Sequence, residues 1–110
     1  MEISIRETGG VSVMDFTGNL DTNTSPAAES EVTRLLDGGS NKILFNFLDL
    51  NYISSSGLRI LLATAKKMRT SGGKMMVCNL NETVQEVFDI SGFAAILELA
   101  SSEEEALAAF

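Results

Sequence analysis

Histidine and tryptophan are absent from this 110-residue chain, and cysteine and proline occur once each. Without histidine, the chain lacks the usual general base near neutral pH and a common nitrogen ligand of zinc. Its single cysteine, Cys78, cannot form a disulfide within the chain, so we expect a reducing, cytoplasmic location. No apolar run reaches the roughly 18 residues that a membrane-spanning helix needs, so we expect no membrane partner.

Basic residues are also scarce, because eight lysines and arginines stand against fifteen acidic residues, for a net charge of −7. This balance argues against nucleic acid as a partner. The basic residues are nevertheless clustered: the stretch from Leu50 to Asn81 carries no acid and five bases, which leaves −12 on the rest of the chain. The stretch is either a solvated helix face or a surface that a partner contacts. The five bases are Arg59, Lys66, Lys67, Arg69 and Lys74.

The length and the 45% hydrophobic content fit one globular domain covering residues 1–110. Short apolar runs alternate with amphipathic helical patterns, which implies βαβ units. A hairpin through Thr8-Gly9-Gly10 adds an antiparallel edge. We therefore predict an α/β fold with a mostly parallel, mixed five-stranded sheet and about four helices. The predicted strands lie near residues 3–5, 11–16, 43–47, 75–78 and 95–97, and the predicted helices are capped by Ser25, by one of Ser54, Ser55 and Ser56, by Asn81 and by Ser102.

The most unusual strand-to-helix junction carries three consecutive serines, at positions 54–56, directly before Gly57. A serine that caps a helix stabilises it by about 1 kcal/mol, which accounts for one of the three. The free N–H groups and the positive end of the helix dipole also favour an anion, such as a phosphate on one of the hydroxyls. The residues by themselves leave both interpretations open.

An enzyme is the weaker interpretation of these serines. The G-x-S-x-G pattern of a nucleophile elbow is absent, and no histidine can activate a hydroxyl. Lys66 and Lys67 lie about 15 Å further along the helix. Gly72-Gly73-Lys74 lacks the spacing of a phosphate-binding loop, and Cys78 lies inside an apolar strand. We expect no catalytic residue, no metal and no cofactor.

Two segments carry a family resemblance. Residues 49–59, which read DLNYISSSGLR, resemble the signature of the STAS domain of bacterial anti-sigma factor antagonists, where D-S-S-G-L or a close variant opens a helix. Gly18-Asn19-Leu20-Asp21 is similar to the family's G-x-L-D segment. The predicted order of elements fits the family along essentially the whole chain. One position departs, because Ser54 stands where the family commonly has Asp.

The resemblance implies a phosphorylation-gated switch between proteins. In the family, the unmodified antagonist binds an anti-sigma factor that is also a serine kinase, phosphorylation releases it, and a metal-dependent serine phosphatase restores it. The matching acceptor is Ser55, with Ser54 and Ser56 as alternatives. We expect Ser56, nearest the helix body, to be the N-cap.

The expected contact surface for the partner surrounds the acceptor, with apolar residues of the junction next to its small polar groups. The alternative function is a signalling module that binds a small ligand or nucleotide without a covalent switch. We expect the free chain to be a monomer. The expected partner-binding residues are Asp21, Leu50, Tyr52, Ser54, Ser56, Gly57, Leu58 and Arg59.

Overall fold

A mixed five-stranded sheet forms the centre of the computed structural model, which describes residues 1–110. The first two strands form an antiparallel hairpin, and every later strand pairs in parallel with the one before it. The predicted α/β class and mixed sheet are confirmed. In spatial order, the strands are β1 (Glu2–Thr8), β2 (Val11–Leu20), β3 (Lys42–Ile53), β4 (Lys74–Cys78) and β5 (Glu98–Ala100).

Four α-helices cover the two faces of this sheet unequally. Right-handed crossovers between strands that are neighbours in both sequence and space place the three connecting helices on one face. The short C-terminal helix packs on the other face, with Ala106 fully buried against it. None of the helices combines the length and the apolarity needed to cross a lipid bilayer. The helices are α1 (Ser25–Asp37), α2 (Ser55–Ser71), α3 (Glu82–Ser91) and α4 (Glu103–Ala108).

The larger core lies between the sheet and α1, α2 and α3. Side chains alternate along β3, so that Phe45 and Phe47 face this core while Leu44 faces α4. The rings of Phe16, Phe45 and Phe47 contact one another with centroids 5.3–6.2 Å apart. Leu61, on the inner face of α2, is fully buried in the same cluster. This packing holds α2 over β3, and α2 begins after a single intervening residue, Ser54.

The last strand lies later than predicted. Residues 93–95 form a turn of 3₁₀-helix, and pairing with β4 begins only at Glu98. Gly92, with a φ of +80°, ends α3 and sends the chain into that turn. Leu97 of the apolar run 95–97 is therefore buried although it lies in a turn, and the prediction of a strand there was wrong.

The start of α1 also differs from the prediction. Thr24 occupies the cap position, and Ser25 is the first helical residue, so the prediction that Ser25 is the cap was wrong. The Ser25 hydroxyl donates to the carbonyl oxygen of Asp21 at 2.5 Å. The difference arises because the loop after β2 folds back on itself and satisfies its own polar groups before the helix begins.

A polar network on the second face of the sheet holds α4 in place. The Arg6 guanidinium on β1 donates to both carboxylate oxygens of Asp15 on β2, at 2.5 and 2.9 Å, and also pairs with Glu103 of α4. Asn46 on β3 donates to Asp15 at 2.7 Å. The hydrogen bonds from Arg6 hold the pKa of Asp15 below its usual range. Burial raises the pKa of the neighbouring Cys78 thiol to about 12.

We expect the Asp15 carboxylate to stabilise the fold at neutral pH and to stop doing so in acid. Because its folded-state pKa is lowered, its contribution is complete above the unfolded pKa of about 3.9 and is lost as the pH falls through the folded-state pKa. Asp15→Asn is expected to lower the free energy of unfolding by about 0.5–1 kcal/mol at pH 7. Urea unfolding of both proteins between neutral and strongly acidic pH measures the difference, and a difference that does not shrink with acidification would contradict this account.

Candidate functional site

The three adjacent serines lie where β3 ends and α2 begins. Ser54 is the N-cap of α2, because its hydroxyl accepts a hydrogen bond from the backbone N–H of Gly57 at 3.3 Å. The backbone N–H of Ser54 donates to the carbonyl oxygen of Leu20 at 2.8 Å, which ties the start of α2 to the end of β2. Helical geometry therefore begins at Ser55, and the prediction that Ser56 is the cap was wrong.

The other two hydroxyls have different surroundings. The Ser56 hydroxyl lies 3.3 Å from the Thr22 hydroxyl, and Ser56 is only partly exposed. Ser55 is exposed, and its hydroxyl forms no hydrogen bond with the rest of the chain. Of the three serines, Ser55 thus has the accessible hydroxyl with no structural task.

The loop that carries Asp21 lies against the same helix start. The Asp21 carboxylate accepts hydrogen bonds from the backbone N–H groups of Asn23 and Thr24, at 2.9 and 3.2 Å. Its role is therefore to shape this loop, next to the serines. Thr22, which reaches Ser56, was not predicted from the sequence, although it directly follows the Gly18–Asp21 segment that carries the resemblance.

Three of the predicted contact residues are buried. Leu50 and Leu58 are 1% and 5% exposed within the larger core, so the prediction that they offer an apolar surface to a partner was wrong. Gly57 is buried as well, and a Cβ there would lie 2.8 Å from side-chain carbons of both Ile53 and Leu20. These residues set the position of Ser55 by close packing beneath it.

The surface around Ser55 comes from the remaining predicted residues. Tyr52 is 45% exposed near the end of β3, and Arg59 is exposed one helical turn beyond Ser55. The exposure of Ser54, Ser56 and Asp21 is intermediate, so these three residues are partly accessible. The structure therefore places the accessible predicted residues around one helix N-terminus, with Ser55 among them.

The charges at this helix start favour an added anion. The first turn of α2 contains no acidic residue, whereas α3 begins with Glu82 and α4 with three glutamates. The positive end of the helix dipole and the guanidinium of Arg59 are thus left without a negative partner in the first turn. An anion at this helix start would face the positive end of that dipole.

A surface cleft of about 310 Å³ lies between α1 and α2, beside the serines. Polar and charged side chains, among them Thr22, Ser56, Glu29 and Arg59, line it together with the apolar Ile60 and Ala63. No group of three or more histidine, cysteine, aspartate or glutamate side chains is arranged to hold a metal ion. A small molecule bound in this cleft would lie next to Ser56.

Known proteins are similar to this chain in sequence and in architecture. The chain is 34% identical over 110 residues to BtrV of Bordetella bronchiseptica, a protein named for anti-sigma factor antagonism, with 100% of this chain and 95% of BtrV covered. An anti-sigma factor antagonist from Mycobacterium paratuberculosis has the same fold, with a TM-score of 0.90, 23% identity and coverage of 98% and 92%.

The antagonist SpoIIAA of Bacillus has been solved in a phosphorylated form, which matches with a TM-score of 0.74 and 24% identity over 96% of each chain. The family model of the STAS domain matches residues 2–106, nearly the whole length of the sequence. The order of strands and helices and the serine-rich start of α2 agree with that match. The chain therefore belongs to the STAS-domain family.

Proposed function

We propose that this chain is an anti-sigma factor antagonist whose binding is switched by phosphorylation of Ser55. With Ser55 unmodified, it binds an anti-sigma factor that is also a serine kinase, and phosphorylation releases it. A metal-dependent serine phosphatase returns it to the binding form. The chain acts by binding and has no catalytic activity of its own.

One observation carries this proposal: the Ser55 hydroxyl is exposed and unbonded at the N-terminus of α2. The Ser54 hydroxyl is bound as the helix cap, and the Ser56 hydroxyl is within hydrogen-bond distance of Thr22. Phosphorylation of Ser55 therefore breaks no hydrogen bond within the chain, unlike phosphorylation of its neighbours. The 34% identity to BtrV and the existence of a phosphorylated form of SpoIIAA support the same function.

The contact surface in this proposal consists of the accessible residues around Ser55, with Tyr52 and Arg59 at its edges. Leu50, Gly57 and Leu58 support it from the core. Phosphorylation adds about 1.5–2 negative charges and three acceptor oxygens to this surface. In an interface from which water is excluded, an added charge without a partner of opposite sign is costly, so phosphorylation weakens binding.

The acceptor is expected to be Ser55. Incubation of the chain with ATP and the anti-sigma factor kinase of the same genome, followed by phosphopeptide mass spectrometry, locates the modified residue. Ser55→Ala is expected to abolish modification, while Ser56→Ala and Ser54→Ala, the matched controls, retain the acceptor. Ser54→Ala also loses a helix cap worth about 1 kcal/mol, so its folding is checked by circular dichroism. Modification that persists in Ser55→Ala and disappears in one of the controls would show that the serine replaced in that control is the acceptor.

The second candidate function is binding of a small ligand or nucleotide without a covalent switch. The cleft between α1 and α2, which Ser56 and Arg59 help to line, is the observation that favours it. The same incubation separates the two functions. Transfer of phosphate to the chain and binding of the kinase support the antagonist, whereas saturable nucleotide binding with no transfer supports the ligand module.

A further inference from the structure

We propose that the exposed face of α2 is a docking surface for an acidic patch on the partner kinase, and that it leads the kinase to Ser55. The face carries Arg59, Lys66, Lys67 and Arg69, named here the basic stripe. This inference rests on the proposed function, because it specifies which surface of the antagonist the kinase recognises. It adds a second part to the contact, outside the serine-rich junction.

The geometry of the helix aligns the basic stripe with the acceptor. An α-helix turns by about 100° per residue, so Ser55, Arg59 and Lys66 fall within about 40° of one another on the helix surface. All three are exposed, as are Lys67 and Arg69, which flank this line on either side. From Ser55 to Lys66 the line is about 16 Å long, given a rise of 1.5 Å per residue.

The four charges of the basic stripe have no ion-pair partner within the chain. The ion pairs within the chain engage three other basic residues: Arg6 with Asp15 and Glu103, Arg34 with Glu31, and Lys74 with Glu98. Lys42, at the start of β3, is the remaining unpaired base. Half of the basic residues of an acidic protein are thus collected, uncompensated, on one helix face.

The helix itself accounts for only part of this arrangement. Cations in the last turn of a helix are favoured by its dipole, which explains Arg69 near the end of α2. Arg59 lies near the opposite, positive end, where the dipole disfavours a cation. Lys66 and Arg69, three residues apart on the helix, also repel each other at a small cost to the helix. An acidic partner surface offsets both costs.

The charge of the whole molecule favours a protein partner. With a net charge of −7, the chain is repelled as a whole by DNA and by anionic membranes, whose charge extends beyond any local contact. An acidic patch confined to the area of α2 meets the basic stripe without facing the acidic remainder of the chain. Complementary local charge of this kind acts chiefly on the rate of association.

The test compares two single charge reversals that both change the net charge from −7 to −9. Lys66→Glu reverses a charge in the middle of the basic stripe, and Lys42→Glu reverses the unpaired base at the far end of β3 from Ser55. Association with the anti-sigma factor kinase is measured by stopped flow at about 50 mM and about 500 mM salt. Phosphorylation of Ser55 is measured in parallel as kcat and KM.

Lys66→Glu is expected to slow association about 3- to 10-fold at low salt and to raise KM with little change in kcat, while the effect fades at high salt. Lys42→Glu is expected to change the rate less than about twofold. Equal effects of the two reversals would contradict docking of the kinase on the basic stripe, while leaving the proposed function intact. A wild-type chain that neither binds the kinase nor is phosphorylated would overturn the proposed function first.

Two further measurements keep the result unambiguous. Lys66→Gln/Arg69→Gln removes two charges without introducing acids, so a slower association of this variant, with an unchanged circular dichroism spectrum, also supports docking. A DNA duplex and phosphatidylglycerol vesicles serve as competing polyanions. If either binds the wild-type chain through Lys66 more tightly than the kinase does, the assignment of the basic stripe to the kinase is wrong.

Discussion

Phosphorylation of Ser55 is expected to weaken the complex with the anti-sigma factor by several hundredfold, which corresponds to about 3–4 kcal/mol. The Ser55 hydroxyl is exposed and forms no hydrogen bond within the chain, so a phosphate there is expected to enter the contact and to leave the fold unchanged. Within the free chain, we expect the N–H groups of the first turn to stabilise the phosphate. In the proposed function, the switch is therefore expected to arise from different affinities of the two forms for the partner, without any rearrangement of the sheet.

Isothermal titration calorimetry of the phosphorylated and unmodified chains against the anti-sigma factor measures this effect. Ser55→Asp carries about one charge where the phosphate carries nearly two, so a partial loss, about tenfold, is expected. Ser55→Ala is expected to bind like the unmodified chain. Ser30→Asp, an exposed position on α1, introduces the same charge away from α2 as a control. If phosphorylated and unmodified chains bind with equal affinity, Ser55 is outside the contact.

Much of the fold could be predicted because the signals are local. Apolar runs such as Ile43–Phe47 and the turn residues between them specify buried strands and connecting helices without knowledge of the tertiary structure. The order of these elements then leaves few topologies, since parallel crossovers are right-handed. The run at 95–97 misled the prediction because three apolar residues fit a strand and a buried turn equally well, and only the pairing of β5 distinguishes them.

The candidate site was mispredicted at one position through a contact distant in sequence and at another through a local pattern that was given too little weight. Which of three adjacent serines caps α2 is decided by the hydrogen bond between the Ser54 N–H and the Leu20 carbonyl, which joins positions 34 residues apart in the sequence. Leu58 was predicted to be accessible because it lies beside the serines. Its position one turn before Leu61, however, places it on the inner face of the helix.

Gly57→Ala is expected to destabilise the fold and to impair phosphorylation of Ser55, because the start of α2 has no room for a methyl group. The added Cβ would lie 2.8 Å from Cγ1 of Ile53 and 2.8 Å from Cγ of Leu20. Both neighbours are fully buried, so neither can move aside freely. Overpacking of this kind costs about 1–3 kcal/mol, more than the gain in helix propensity from glycine to alanine.

The same displacement is expected to reach Ser55 through two hydrogen bonds of the residue before it. The Gly57 N–H donates to the Ser54 hydroxyl, and the Ser54 N–H donates to Leu20, so a shift of the helix strains both bonds that fix the start of α2. Urea unfolding measures the loss of stability, and Ser55→Ala, an alanine two residues earlier on the same helix, is the matched control. A second substitution, Leu20→Ala, removes one of the two clashing groups.

In a double-mutant cycle, Gly57→Ala is expected to cost less in the Leu20→Ala background than in the wild-type chain, with a coupling of about 0.5–3 kcal/mol. The rate of phosphorylation is expected to follow the same order, because the cavity left by Leu20 lets α2 return toward its original position. Two outcomes would show that the close approach at Gly57 does not position the serines. In the first, Gly57→Ala unfolds at the same urea concentration as Ser55→Ala. In the second, the losses of unfolding free energy from Gly57→Ala and Leu20→Ala simply add in the double mutant.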